Sequence, residues 1–153
     1  MLTNDAATLI ERPTIWELLD AHGGILFSLD TGAPVASTDP RTAQTPVDVH
    51  LHSARVHGGD LFAALPGLRI DGVEFVPDAI RRGAAVVLAP ADRPIAMLRE
   101  RCEAAGVEPA STIVWMHPRA RSVVGAIVDH VHGRPAASLF LAGVTGTNGK
   151  TSV

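Results

Sequence analysis

The residues best suited to chemistry stand near the end of the chain. There an apolar run, Leu139-Phe140-Leu141-Ala142, leads into Gly143-Val144-Thr145-Gly146-Thr147-Asn148-Gly149-Lys150-Thr151-Ser152. A strand feeding a glycine-rich turn that ends in Lys-Thr is the arrangement of a phosphate-binding loop. Gly146 and Gly149 let backbone N–H groups close on a phosphate, and the Lys150 ammonium adds a point charge. The Thr151 hydroxyl is placed to hold Mg²⁺ through the phosphates. The match to G-x-x-x-x-G-K-[ST] is displaced at its first glycine, since Gly143 lies one residue early and Val144 takes that place.

Other reactive side chains have plainer explanations. His50 and His52 alternate on one strand with Asp48 beside them, which invites a metal reading. A structural zinc site calls for four ligands at recognisable spacing, and no such set is present, so surface polarity is expected there. Asp129, His130 and His132 fall near a helix end, where imidazole caps carbonyls. Cys102, the one cysteine, lies among Arg99, Arg101 and Glu103 with no base or oxyanion site identified, so it is expected to be a bystander.

The elements that must position these residues follow from the hydrophobic pattern. Thr14 and Glu17 form a capping box ahead of a short helix (Ile15, Trp16, Leu18, Leu19) that Gly23 and Gly24 end. Residues 24–45 are turn-rich, and residues 30–46 read as a loop or loosely ordered excursion. Val47, Val49 and Leu51 alternate with Asp48, His50 and His52 as in a half-buried strand, and a second strand is indicated within residues 60–67. Pro77 and Gly83 bracket a helix over 78–82. Residues 84–89 read as a buried strand, 95–105 as a helix, 112–116 as a strand and 119–132 as a helix. Strand and helix alternate, so the expected fold is α/β with a mainly parallel sheet and helical crossovers.

Composition limits the functions. The 153 residues are 46% apolar and 19% charged, as in an ordinary globular domain with one sizeable core. A formal charge of -3 without a Lys/Arg run argues against nucleic acid as partner. No apolar run approaches the ~18 residues of a membrane span, and a single cysteine suits a reducing compartment, so a soluble, cytoplasmic protein without membrane partners is expected.

Two motifs together resemble a known family. Val144-Thr145-Gly146-Thr147-Asn148-Gly149-Lys150-Thr151 is similar to the ATP loop of the Mur ligases, the ATP-dependent amide-bond ligases that extend the peptidoglycan stem peptide. Gly59-Asp60-Leu61-Phe62-Ala63-Ala64-Leu65-Pro66-Gly67, followed by Asp71-Gly72, Ala79-Ile80 and Gly83-Ala84, is similar to their N-terminal domain. The closest type adds the third amino acid to UDP-N-acetylmuramoyl-L-alanyl-D-glutamate. The resemblance implies three parts: residues 1–46 a helix and loop extension, 47–138 the UDP-substrate-binding domain, and 139–153 the start of the central ATP-binding domain.

The same resemblance implies site residues. Leu51, Ser53, Leu68, Arg69 and Ile70 fall where the family contacts its UDP substrate, with Arg69 able to pair with the diphosphate. The family's Asp-Ser-Arg turn is departed from at His52 and Ala54, and Arg55 stands one place after the missing cation. Thr145, Gly146, Thr147, Asn148, Gly149, Lys150, Thr151 and Ser152 fall on the ATP loop, with Lys150 as the catalytic cation and Thr151 on Mg²⁺. ATP and Mg²⁺ are the implied cofactors, the UDP-N-acetylmuramoyl-dipeptide the partner, and a monomer the implied state. The reaction implied is phosphorylation of a carboxylate to an acyl phosphate, which an amine then attacks. Residues 1–153 by themselves are expected to be inactive, because the rest of the family's catalytic apparatus falls beyond Val153. Two other readings stay open: a non-catalytic sugar-nucleotide-binding module, or another ATP-dependent amide ligase sharing the loop.

Overall fold

A computed structural model describes residues 11–109 and 111–138. The expected phosphate loop, with every ATP and Mg²⁺ residue assigned to it, lies outside the described residues.

The chain begins with α1 (Ile15–His22), opened by the capping box its sequence announces. Glu17 N–H donates to Thr14 Oγ1 at 3.2 Å, and Thr14 N–H donates back to Glu17 Oε2 at 2.7 Å. Then come β1 (Ile25–Ser28), β2 (Val49–His50), β3 (Leu61–Ala63), α2 (Val76–Arg81), β4 (Val86–Pro90), α3 (Ile95–Ala104), β5 (Ile113–His117) and α4 (Ala120–Val131), with short 3₁₀ turns between. The strands make one five-stranded sheet in the order β1-β5-β4-β3-β2. All neighbours are parallel except β1, which pairs antiparallel with β5 at the edge.

The central strands show no solvent face. Along β4, Val87 and Ala89 point into a core shared with Val76, Ala79, Leu98 and Cys102 of α2 and α3. Val86 and Leu88 point the other way, onto Ile15, Leu18, Ile127 and Val131 of α1 and α4. β5 divides likewise, Val114 and Met116 against Ile113 and Trp115. Period-two alternation thus sorts apolar residues between two cores, which is why these strands read as continuous apolar runs. Cys102 is buried, and burial raises its thiol pKa, consistent with an unreactive packing residue.

The boundary expected at residue 47 needs correction. Residues 15–29 are part of the same fold: β1 is hydrogen-bonded into the sheet, and Ile15, Leu18, Leu26 and Leu29 are buried in its two cores. β1 escapes notice in the sequence because four residues between glycines and a turn carry too little periodicity; pairing with distant β5 decides it. Trp115 Nε1–H donates to Gly23 O at 2.8 Å, and a Cβ at Gly24 would stand 2.5 Å from that nitrogen, so Gly24 is required where α1 turns into β1.

Residues 30–46 form a loop, as expected, and its turns are held by side-chain bonds. The Arg41 guanidinium joins the Asp39 carboxylate at 2.7 Å and the Ser28 hydroxyl at 2.7 Å, and Asp39 caps the 3₁₀ turn Pro40–Ala43. Those bonds from Arg41 hold the Asp39 carboxyl down to about 2. The expected strand over 47–51 shrinks to Val49–His50, leaving Leu51 exposed in a bend outside it.

His22 and His130, on α1 and α4, face each other with Nε2 and Nδ1 3.2 Å apart. Partial burial first, and then neighbouring positive charge, lowers both pKa values. A histidine harder to protonate when folded adds no cost above its unfolded pKa near 6.5. Below that, the unfolded chain takes up protons the folded one resists, so stability falls with pH. The thermal midpoint should therefore drop between about pH 6.5 and 5, with a shallower slope in His130→Gln; equal slopes for wild type and variant would contradict this coupling.

Candidate functional site

In a parallel sheet all loops that follow strands gather at one edge, and ligands of such folds bind there. Here that edge carries residues 51–55 after β2, 64–72 after β3, 90–93 after β4 and 117–121 after β5.

The segment after β3 is a tight hairpin. Gly67 N–H donates to Ile70 O at 3.0 Å, Gly72 N–H to Leu65 O at 3.0 Å, and Pro66 and Asp71 form an antiparallel bridge. A Cβ on Gly67 would come within 2.5 Å of Ile70 O, and one on Gly72 within 2.4 Å of Leu65 O, so glycine is demanded at both positions. Two arginines pin the hairpin, one from the loop after β4 and one from the first turn of α4. Arg93 Nε meets Asp71 Oδ2 at 2.7 Å, and Arg121 donates to Pro66 O. Asp71 Oδ1 accepts from Val73 N–H at 3.3 Å and so starts the next 3₁₀ turn.

At the hairpin tip Leu68, Arg69 and Ile70 are exposed, with Leu68 carrying its whole side chain in solvent. Arg69 makes no hydrogen bond or ion pair with the described residues. Exposed apolar side chains flanking a free guanidinium, on a backbone held rigid beneath, give a surface able to receive a flat ring and an anion.

Ser53 is differently placed. It begins the 3₁₀ turn Ser53–Arg55 and is buried. Its hydroxyl bonds to the Asp78 carboxylate, the largest influence holding that group below the usual carboxylate range, followed by the bond from Arg82 at 3.1 Å. Ser53 therefore ties the β2 turn to α2, with a lone pair left for a further donor. Leu51 and Arg55 are exposed on the same turn. The structure brings the turn and the hairpin to one sheet edge on adjacent strands β2 and β3, and leaves His52 exposed at the start of the 3₁₀ turn.

Next to the hairpin opens a cleft of about 650 Å³, lined by Pro66, Pro90, Asp92, Arg119, Arg121 and Ser122 among others. Its wall is the N-terminus of α4, where the helix dipole favours an anion. His117 shapes this entry: Arg119 N–H donates to its Nδ1 at 2.9 Å, so Nε2 carries the proton and donates to His22 O at 3.0 Å. Arg119 and Arg121 were not singled out from the sequence. The signal available was Pro118-Arg119-Ala120-Arg121 at a strand-to-helix turn.

Asp71→Ala removes a turn cap and an ion pair together, so it should cost about 1–2 kcal/mol. Hydrogen exchange at the Gly67 and Gly72 amides should quicken relative to β4; unchanged exchange there would show that the hairpin holds without its clamp.

The Mur ligase family, catalytic domain, matches residues 48–132. Curated relatives named UDP-N-acetylmuramoyl-L-alanyl-D-glutamate--2,6-diaminopimelate ligase are similar over much of the chain. The Haemophilus ducreyi protein is 39% identical over 104 residues, 67% of this chain and 21% of that protein. The Streptomyces coelicolor protein is 45% identical over 103 residues, 66% of this chain and 18% of its own length. The one from Synechococcus elongatus is 35% identical over 134 residues, covering 83% of this chain and 25% of the relative. The chain thus spans between 18% and 25% of these relatives. With a family match across most of the sheet and the whole hairpin edge, the chain belongs to the Mur ligase family.

Proposed function

We propose that residues 15–138 form the substrate-recognition part of an ATP-dependent ligase of peptidoglycan precursor synthesis, and that residues 139–153 begin its ATP-binding part. The reaction is addition of an amino acid to UDP-N-acetylmuramoyl-L-alanyl-D-glutamate through an acyl phosphate. The observation that carries this reading is the clamped hairpin of residues 66–72, presented at the ligand-binding edge of the sheet inside the matched family region. The relatives' names specify the dipeptide substrate and diaminopimelate.

In this proposal Leu51, Leu68 and Ile70 pack on the nucleotide end of the substrate and Arg69 pairs with its diphosphate. Ser53 contributes one hydrogen bond while its other bond to Asp78 fixes its direction. Arg55 supplies the cation that Ala54 lacks, and the Arg119 cleft takes the remaining negative charge. The donor set of residues 145–152 suits a triphosphate: glycine amides and the Lys150 ammonium for the phosphates, the Thr151 hydroxyl for Mg²⁺. Bound ATP supplies the phosphoryl group, and these residues hold and neutralise it.

Calorimetric titration of UDP and of the UDP-linked dipeptide tests the assignment. A charge-assisted contact is worth about 1.5–3 kcal/mol, so Arg69→Ala should weaken binding by tenfold or more. Ser53→Ala should cost about 0.5–1.5 kcal/mol, as for one neutral hydrogen bond. Wild-type affinity in both variants would remove these residues from the site, and no binding by the wild type would overturn the recognition role.

A further inference from the structure

Three potential metal ligands converge between β2 and the turn that leads into β3. One ligand atom from each of His50, His57 and Asp60 lies within 4.8 Å of the other two. The His50 nitrogen is 3.3 Å from Asp60 Oδ2, and the His57 nitrogen is 3.8 Å from the same oxygen. Ligands about 2.0–2.2 Å from a tetrahedral ion stand about 3.3–3.6 Å apart, so the cluster needs only a small contraction to close on one.

The set is built rather than incidental. The Asp60 side chain is 3% exposed, and its Oδ2 is aimed by a bond from His57 N–H at 2.8 Å. The Asp48 carboxylate stands beside His50, its Oδ2 3.6 Å from Nε2, but outside the group of three. The other oxygen of that carboxylate is oriented by Val49 N–H at 2.7 Å and by His132 Nε2 at 3.0 Å.

We propose that His50, His57 and Asp60, with water in the fourth position, form a binding site for a divalent transition ion of the Zn²⁺ class. Two imidazoles with a carboxylate exclude Mg²⁺ and Ca²⁺, which take oxygen ligands. The ion clasps the two-residue edge strand β2 to the turn that leads into β3, so its role is structural. His52, which the sequence pairs with His50, stands outside the cluster; the turn between the strands brings in His57 instead.

The test is titration of the metal-stripped 153-residue chain with Zn²⁺ by calorimetry and with Co²⁺ by visible absorption, slightly above neutral pH. One equivalent should bind, with a raised thermal midpoint. His57→Ala alters a side chain 83% exposed, so the fold should persist while affinity falls at least tenfold. His52→Ala should bind as wild type. No saturable binding, wild-type affinity in His57→Ala, or equal loss in His52→Ala would overturn the site. So would loss confined to His130→Ala, which would place the ion at the His22–His130 pair.

Discussion

Burial of both faces of β4 and β5 is the constraint on which the rest of the structure depends. Val86, Val87, Leu88 and Ala89, and then Ile113, Val114 and Trp115, leave no side chain for water. Each large one contributes about 1.5–3 kcal/mol only if both faces stay covered. That requirement places α2 and α3 on one side and α1 and α4 on the other. Parallel strands joined by these helices must return every chain exit to one edge, where the hairpin, the Ser53 turn and the α4 cleft meet.

Polar groups carried inside by this packing fix the periphery. Trp115 cannot be buried with its indole N–H unpaired, and its acceptor is Gly23 O at the end of α1. His117, also buried, spends both ring nitrogens on the turn into α4 and on His22 O. Two side chains of one strand thereby join the first helix to the last, and the N-terminal segment becomes integral to the domain.

The α/β class, the parallel sheet and most helices were legible because their signals are local: the capping box at Thr14, the apolar run over 84–89, the glycines after each helix. The loop of residues 68–70 was marked only by the family resemblance; that Gly67, Asp71 and Gly72 close it into a hairpin is visible only in the structure. What escaped was set by distant partners. β1 exists through β5, the order of residues 30–46 through Arg41 and Asp39, and the His50 cluster through a turn that selects His57 over His52. Ser53 was located correctly as a turn residue, but its engagement with Asp78 depends on a helix more than twenty residues on.

The central claim is that the edge formed by residues 51–55 and 66–72 receives a UDP-linked substrate. Backbone amide shifts recorded while UDP-N-acetylmuramoyl-L-alanyl-D-glutamate is added to the labelled chain test it most directly. The account predicts saturable shifts at Leu51, Ser53 and Arg55, across residues 67–72 and at the start of α4, with the opposite sheet end around Asp48 and Asp60 unmoved. Shifts confined to that opposite end, or none at millimolar ligand, would contradict it.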